Sequence, residues 1–414
     1  MFESVESLGT LDVVGSESFA DGYPHEAWAL LRRESPVHWF DRDVKVPFWA
    51  ITKHEDIIQI SRRPDENRNG PRLAVFPGFA PPAEDEREIR HLLVMDAPDH
   101  PIYRKLTAPW FTPRKIRRLE ASIEDITRET LDRVSRGGET AEMDFVTEVA
   151  APVPLAVLAE MLGVPREDWR LMFQWTNAIV GADDPEYRQG ETSEQSATDA
   201  RLTLFEYFWK LVEARRREPR EDIISVLAHA RVNGEPLPPR ELLSYCFLLV
   251  VAGNETTRNA MSGGLLAFIE NPGELAKLRR QPDLITSAAE EIARFTTPVI
   301  QFCRTAMVDF ELRGQKIRAG ESMCLFYPSA NRDEDVFDAP FEFRIDRNPN
   351  RHLAFGIGEH FCLGANLARL ELRILFRQLA ERLEEAEVTG RVERLRSSFL
   401  GGVKHVPIRY RLRA

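Results

Sequence analysis

Cysteine is scarce in this chain: Cys246, Cys303, Cys324 and Cys362 are the only four in 414 residues. They form no CxxC pair and no zinc spacing, which excludes a disulfide scaffold and a zinc module and reads as reduced thiols in a cytoplasmic protein. Long apolar runs are missing too. The longest, Tyr245 to Gly253, is about half of the ~20 residues that cross a bilayer, so no membrane helix is expected. The N-terminus, MFESVESLGTLDVVG, lacks the basic and apolar regions of a signal peptide. Positive charge is in deficit, with 55 Lys and Arg against 66 Asp and Glu for a net charge of −11. That balance argues against a nucleic-acid binder, which needs a basic stripe to neutralise phosphates. No internal repeat or low-complexity linker is present.

What is there belongs to a folded chain. The hydrophobic content of 43% lies near the globular average of roughly 45–50%. Length alone suggests two or three domains at roughly 150 residues each. Val37 to Phe40 and Phe48 to Thr52, rich in aromatic and β-branched residues, predict a pair of strands. The Gly- and Pro-rich loop from Arg68 to Pro82 carries Leu73, Val75, Phe76 and Phe79, too many apolar residues for a solvent-facing connection. From 112 to 295 the apolar spacing is helical, interrupted by the polar stretch Gly181 to Asp199, read as a mobile connection between two helices. Strand-like segments follow at Val299–Phe302, Phe310–Arg313 and Ser322–Tyr327. A long helix starts after Cys362, and Val403–Arg411 is extended. Without βαβ alternation, the fold class is mainly α, an α+β arrangement with small sheets.

One cysteine has a distinctive context. In Phe355 to Arg369, FGIGEHFCLGANLAR, Cys362 lies among Gly356, Gly358 and Gly364, directly before a helix. Glycines on both sides let the backbone approach a flat object closely, and the helix N-terminus favours a thiolate. That combination suits ligation of haem iron. A buried structural cysteine is the bland alternative; the two-sided glycine frame, His360 and the following helix speak against it.

On these residues the chain resembles the soluble bacterial cytochrome P-450 monooxygenases. Phe355, Gly358, His360, Cys362 and Gly364 match each defined position of that family's haem loop. The resemblance implies one large helical haem domain over residues 1–414, haem b as cofactor, and Cys362 as axial thiolate, with Phe355, Gly356 and Gly364 beside it.

Three further marks are consistent with it. Ala252-Gly253-Asn254-Glu255-Thr256-Thr257 follows the apolar run; small residues leave room for a ligand, and a mid-helix Thr256 can bond back to the carbonyl of Ala252. The resemblance assigns Glu255 and Thr256 as the acid–alcohol pair on the oxygen-binding helix, with Ala252 and Gly253 against the cofactor. An N-capping cluster is the competing reading, weakened by helical character on both sides. Next, Glu291 and Arg294 stand three apart on a helix, matching a buried ion pair that braces the cysteine loop. Either Arg344 or Arg347 supplies a third member, and the pattern does not choose between them. Finally, His100, Arg104, Arg304 and His360 match the positions that hold the haem propionates, since buried carboxylates require cationic partners.

An axial thiolate favours O–O bond cleavage, so the implied reaction reduces O2 with two electrons and two protons and inserts one oxygen atom into a C–H bond. The chain has no flavin or iron–sulfur segment of its own. The resemblance therefore implies a ferredoxin or flavodoxin-like donor with an NAD(P)H-dependent reductase. Arg114, Lys115, Arg117 and Arg118, with Lys105 and Arg373, are a candidate docking face; a solvated helix face explains them equally well. By family position the substrate pocket is lined by Phe76, Phe79, Leu248, Ala252, Val299, Ile300 and Phe399, pointing to a hydrophobic organic molecule. Similarity of the Asn254–Asn259 string and the cysteine loop to bacterial subfamilies suggests sterol side chains, terpenoids or branched or fatty aliphatic chains. A peroxide-using or non-oxygenating haem-thiolate enzyme, or a haem sensor, is the alternative; an intact Glu255–Thr256 pair argues against it.

Overall fold

The computed structural model describes residues 8–76, 89–182, 184–188 and 190–414. The chain opens with α1 (His25–Glu34), the strands β1 (Val37–Phe40) and β2 (Phe48–Ile51), α2 (His54–Ser61) and the two-residue β3 (Asn67–Arg68). Helices then dominate: α3 (Asp99–Thr107), α4 (Pro113–Ile116), α5 (Glu120–Val134), α6 (Pro152–Leu162), α7 (Trp169–Val180), α8 (Ser193–Arg217) and α9 (Ile223–His229). A 32-residue helix, α10 (Pro239–Glu270), crosses the molecule. It begins with proline at its first turn, where the missing N–H has no partner to lose. After it come α11 (Pro272–Arg280) and α12 (Ile285–Thr296), and α13 (Tyr327–Ala330) precedes the long stretch to α14 (Ala365–Arg382).

Both predicted N-terminal strands form, paired antiparallel with Trp39 opposite Trp49. They join a five-stranded sheet in the order β1-β2-β10-β7-β3, where β7 is Gln301–Ala306 and β10 is Ser322–Phe326. The short strands β5 (Arg231–Val232) and β6 (Glu235–Pro236), β8 (Phe310–Leu312) and β9 (Gln315–Ile317), and β12 (Glu393–Arg394) and β13 (Val403–His405) pair two by two, and β11 (Leu383–Val388) pairs with the last strand. The strand expected at 299–302 thus starts two residues later; Val299 makes only an isolated bridge to Leu400. Within the supposedly helical run lies an unexpected strand, β4 (Thr140–Asp144), which pairs with the C-terminal β14 (Pro407–Leu412). Its alternation is between half-buried and exposed positions, so a strongly apolar signal was absent from the sequence. This pairing joins the C-terminal strand to a segment more than 260 residues earlier in the chain.

The polar stretch after α7 is shorter than expected, because Thr192 caps α8 by accepting from the Gln195 N–H at 3.1 Å. It is also tied down: Asp184 is fully buried and receives Lys404 at 2.9 Å, while Glu186 meets Lys404 at 2.8 Å and His405 at 2.7 Å. As expected of a loop folded over something, Ala74 and Val75 are buried; Phe79 lies outside the described residues. No helix among the described residues is long and apolar enough to cross a membrane.

Candidate active site

Helix α10 is buried along most of its length, and its few open positions identify the site. Ala252 is exposed, and Val251, Gly253 and Thr256 are half-buried, although core residues flank them on both sides. Leu248, Ala252 and Thr256 are spaced by four, so they share one face. The Thr256 hydroxyl donates to the Ala252 carbonyl at 2.8 Å, as expected, which leaves its oxygen beside the open strip. Continuous helix on both sides excludes the capping alternative.

Glu255 is paired with a residue other than Thr256. Its carboxylate is fully buried and bonds to Arg258, one turn on, and no bond joins it to the Thr256 hydroxyl. Neighbouring residues on a helix point about 100° apart, so adjacency in sequence does not bring their side chains together. Burial raises the Glu255 pKa, against the opposing pull of Arg258. Arg258 also donates to Asn177 of α7 at 2.8 Å, which links that helix to the acid. This link was missed in the sequence, although Arg258 carried a signal: it stands three residues after Glu255.

The cysteine loop is built by its glycines. Gly356 and Gly358 have φ of +68° and +80°, and a Cβ on Gly358 would sit 2.3 Å from the Ser61 carbonyl oxygen. The Cys362 N–H donates to the Phe355 carbonyl at 2.9 Å, and Phe361 closes a turn onto Gly358 at 3.1 Å. Cys362 is exposed, yet burial raises its pKa. Both properties belong to a group that lines a space inside the protein. Around Gly364 the space is open, with no atom within 4 Å of where a Cβ would stand. The helix that follows the loop, α14, packs against α10.

Four cationic positions converge beside the loop. The rings of His100 and His360 lie 4.1 Å apart. Arg104 donates to the Phe361 carbonyl at 2.6 Å, and Arg304 donates to Cys303 at 2.8 Å. Burial, then Arg304, His100 and Arg104, push the His360 pKa down to about 2. Glu359 meets His100 Nδ1 at 2.8 Å, but His100 Nε2 is buried without a partner. Such a cluster is short of negative charge and fits an anionic group placed between its members.

Beneath the loop, Glu291 and Arg294 are both fully buried and joined by two bonds of 2.7 and 2.8 Å. Arg347 is the third member, with its Nε 3.2 Å from each Glu291 oxygen. Arg344 contributes only its backbone N–H, at 2.9 Å, and turns its side chain to Asp338 at the surface. Asn350 adds a bond at 3.0 Å. Close by, Arg369 pairs with Glu290 at 2.7 Å and lies 4.5 Å over the Phe355 ring.

Of the expected pocket residues, Phe76 and Phe399 meet at 5.9 Å and are both half-buried. Phe302, not anticipated, completes the group at 5.6 Å from Phe399. Leu248 is buried on the face of α10 described above, and Val299 is half-buried. Ile300 is a correction. It is wholly buried in the core with Trp28, Phe326 and Val75, because side chains alternate along extended backbone and Val299 takes the other side. The basic residues Lys105, Arg114, Arg117 and Arg118 are exposed, whereas Lys115 is held by Glu221 at 2.8 Å and sits 4.2 Å over Trp110. Two surface clefts of about 400 and 460 Å³ lie elsewhere, and neither includes a residue of this site. Among the described residues, no group of three or more His, Cys, Asp or Glu could hold a metal ion.

Comparison with known proteins gives a consistent result. The family model for Cytochrome P450 matches residues 77–398. The chain is 37% identical over 409 residues to a steroid C26-monooxygenase of Rhodococcus jostii (strain RHA1), covering 97% of this chain and 84% of that one. It is 34% identical over 415 residues to a linalool 8-monooxygenase of Pseudomonas putida, covering 96% and 98% respectively. A Mycobacterium marinum cytochrome P450 solved in complex with pseudoionone superposes with a TM-score of 0.87 at 36% identity, over 93% of this chain and 94% of that one.

Proposed function

This chain belongs to the cytochrome P450 family and is a monooxygenase, and on that premise we propose that the cysteine loop and the open face of α10 would hold a haem b, with the Cys362 thiolate as a ligand of its iron. Family and fold imply a haem-thiolate cofactor. When bound, such a group activates O2 and delivers one oxygen atom to a C–H bond. The residues present fit it: an exposed thiol inside the protein, open space at Gly364, and a charge-deficient cluster with an orphaned His100 Nε2. His100, Arg104, Arg304 and His360 would hold the propionates, and Phe355 would pack beside the thiolate. That convergence of an exposed thiol and four basic side chains, one with a buried unpartnered nitrogen, in one interior region carries the reading.

The chain's own contribution is positioning, proton supply and water exclusion. Thr256 presents a hydroxyl at the open strip, with its own proton engaged by Ala252. Glu255, raised in pKa by burial and paired with Arg258, is a proton reserve one residue away. Phe76, Phe302, Phe399, Val299 and Leu248 form an apolar wall that holds a substrate by shape and keeps bulk water out. The substrate is hydrophobic, of the sterol-side-chain, terpenoid or branched aliphatic class.

Family members generally take electrons from redox partners. For this chain the proposed donor is a ferredoxin or flavodoxin-like protein with its own NAD(P)H-dependent reductase, docking on Lys105, Arg114, Arg117 and Arg118 in the cytoplasm. Residues 1–414 are proposed as a single haem domain, a reading supported by the family match over residues 77–398. The test is turnover of a sterol and terpene panel with a surrogate donor chain under isotopically labelled O2. One labelled oxygen per product molecule is expected; unlabelled product, or turnover with peroxide alone, would reject the reading. Reversing Arg117 and Arg118 to Glu should raise the apparent KM for the donor, most strongly at low salt. An unchanged KM would assign those arginines to a solvated helix face.

A further inference from the structure

Two of the four cysteines oppose each other across the central sheet. In the antiparallel pairing of β7 and β10, Cys303 stands directly opposite Cys324. Both are fully buried and share one hydrophobic cluster. The type of pairing follows from the hydrogen bonds. The Cys303 N–H donates to the Leu73 carbonyl at 2.8 Å, on the side away from β10. Cys303 and Cys324 therefore form a non-hydrogen-bonded pair, in which Cα atoms approach to about 4.5 Å and side chains are closest. A disulfide spans Cα separations of roughly 4.4–6.8 Å, so this register admits one without moving either strand far. Each thiol also perturbs the other's ionisation, the Cys303 pKa falling and the Cys324 pKa rising, as expected for sulfurs in contact.

We propose that Cys303 and Cys324 form a reversible disulfide between β7 and β10, a redox-modification site whose oxidant is hydrogen peroxide. One sulfur attacks the peroxide, the O–O bond breaks, and a sulfenic acid and one water result. The second sulfur then displaces the hydroxyl, the S–S bond forms and a second water leaves. Two thiols lose two electrons, one peroxide gains them, and both thiol protons end in water. Access is provided at the sheet edge. Among the described residues the sheet continues beyond β7 only as the two-residue β3 and the strap at Leu73, a margin of the kind that opens locally at low cost, and the two sulfurs lie under the cluster that includes Trp28 and Val75. The loss of the Cys324 thiol hydrogen is felt by Gln301, whose Oε1 accepts from it at 2.7 Å. Gln301 in turn holds Val75 at 2.9 and 3.0 Å and the Ser398 carbonyl at 3.0 Å. Those residues adjoin Phe76 and Phe399, so the redox state of the pair reports to the apolar wall.

The experiment uses reduced, desalted holoenzyme exposed to hydrogen peroxide, acid-quenched, alkylated in denaturant and digested with trypsin. Each cysteine falls in its own peptide: 241–258, 295–304, 319–332 and 352–369. The expected result is peptides 295–304 and 319–332 joined with loss of two hydrogens, and separated again by dithiothreitol. Recovery of both as alkylated thiols, or either joined to a different cysteine peptide, would overturn the proposal. As a second readout, oxidation should raise the unfolding midpoint of the parent protein and leave Cys303→Ala and Cys324→Ala unmoved. A rise that persists in those variants would overturn it as well.

Discussion

Two helices of this protein each carry a buried glutamate paired with the arginine three residues on, and their surroundings differ. Glu291–Arg294 on α12 is saturated: the carboxylate receives Arg294, Arg347, Asn350 and the Arg344 N–H. Arg294 donates onward to the carbonyls of Asn331, Pro340 and Glu342. Glu255–Arg258 on α10 is incomplete. Arg258 has Asn177 as a further acceptor, but its Nε is buried and unpartnered, as are Asn254 Oδ1 and both polar side-chain atoms of Asn259 nearby. A saturated buried ion pair fixes geometry, whereas an incomplete one keeps a proton site adjustable. The first lies under the cysteine loop, where the ligand must not move. The second lies beside Thr256, where the proposed chemistry needs protons to move.

Breaking the saturated pair should have the largest effect. Arg294→Ala leaves Glu291 charged and buried, which costs about 3–5 kcal/mol and should sharply reduce folded, haem-loaded protein, measured by denaturant midpoint and haem absorbance. A midpoint near that of the parent would erase the distinction between the pairs. Glu255→Gln should cost less, about 1–3 kcal/mol, because burial already favours the neutral acid and Asn177 still holds Arg258. Its main effect should fall on coupling, with more peroxide released per NAD(P)H consumed.

The same substitution has a pH signature. A carboxyl whose folded pKa is raised binds more protons folded than unfolded, so its stabilising contribution is present below the ordinary value and is lost as pH rises through the folded pKa. Urea midpoints of the parent should therefore fall more steeply from pH 5 upward than those of Glu255→Gln. Parallel profiles would contradict the assignment of the raised pKa to Glu255. The smallest stability change is expected from Thr256→Ala, within about 1 kcal/mol, accompanied by uncoupling similar to that of Glu255→Gln. Unchanged coupling would remove Thr256 from the proton path.

Legibility followed the reach of each signal. The cysteine loop was readable because chemistry and backbone demands coincide within a few residues: Gly358 has no room for a side chain against Ser61, and Cys362 must face a space. Thr256 was readable through a bond within one helical turn. The identity of the third partner of Glu291 was not, because Arg344 and Arg347 differ in which way the chain turns after Phe343, a tertiary outcome. Ile300 was misplaced because it was read together with its neighbour Val299, and adjacent residues on extended backbone face opposite sides. Glu255 was read only as the acid beside Thr256, whereas its partner Arg258 carried the same three-residue spacing that had marked Glu291 and Arg294. Spacing finds such pairs; only the surrounding partners distinguish a brace from a proton site.

The central claim is that Cys362 supplies a thiolate to the iron, and the reduced, carbon monoxide-bound spectrum tests it most directly. The parent protein should show the red-shifted Soret band that a thiolate ligand produces. Cys362→Ser and Cys362→His should each lose it, while the far-ultraviolet circular dichroism of the helical fold is kept. If the red-shifted band survived in either variant, the ligand would be another residue and the account would fail.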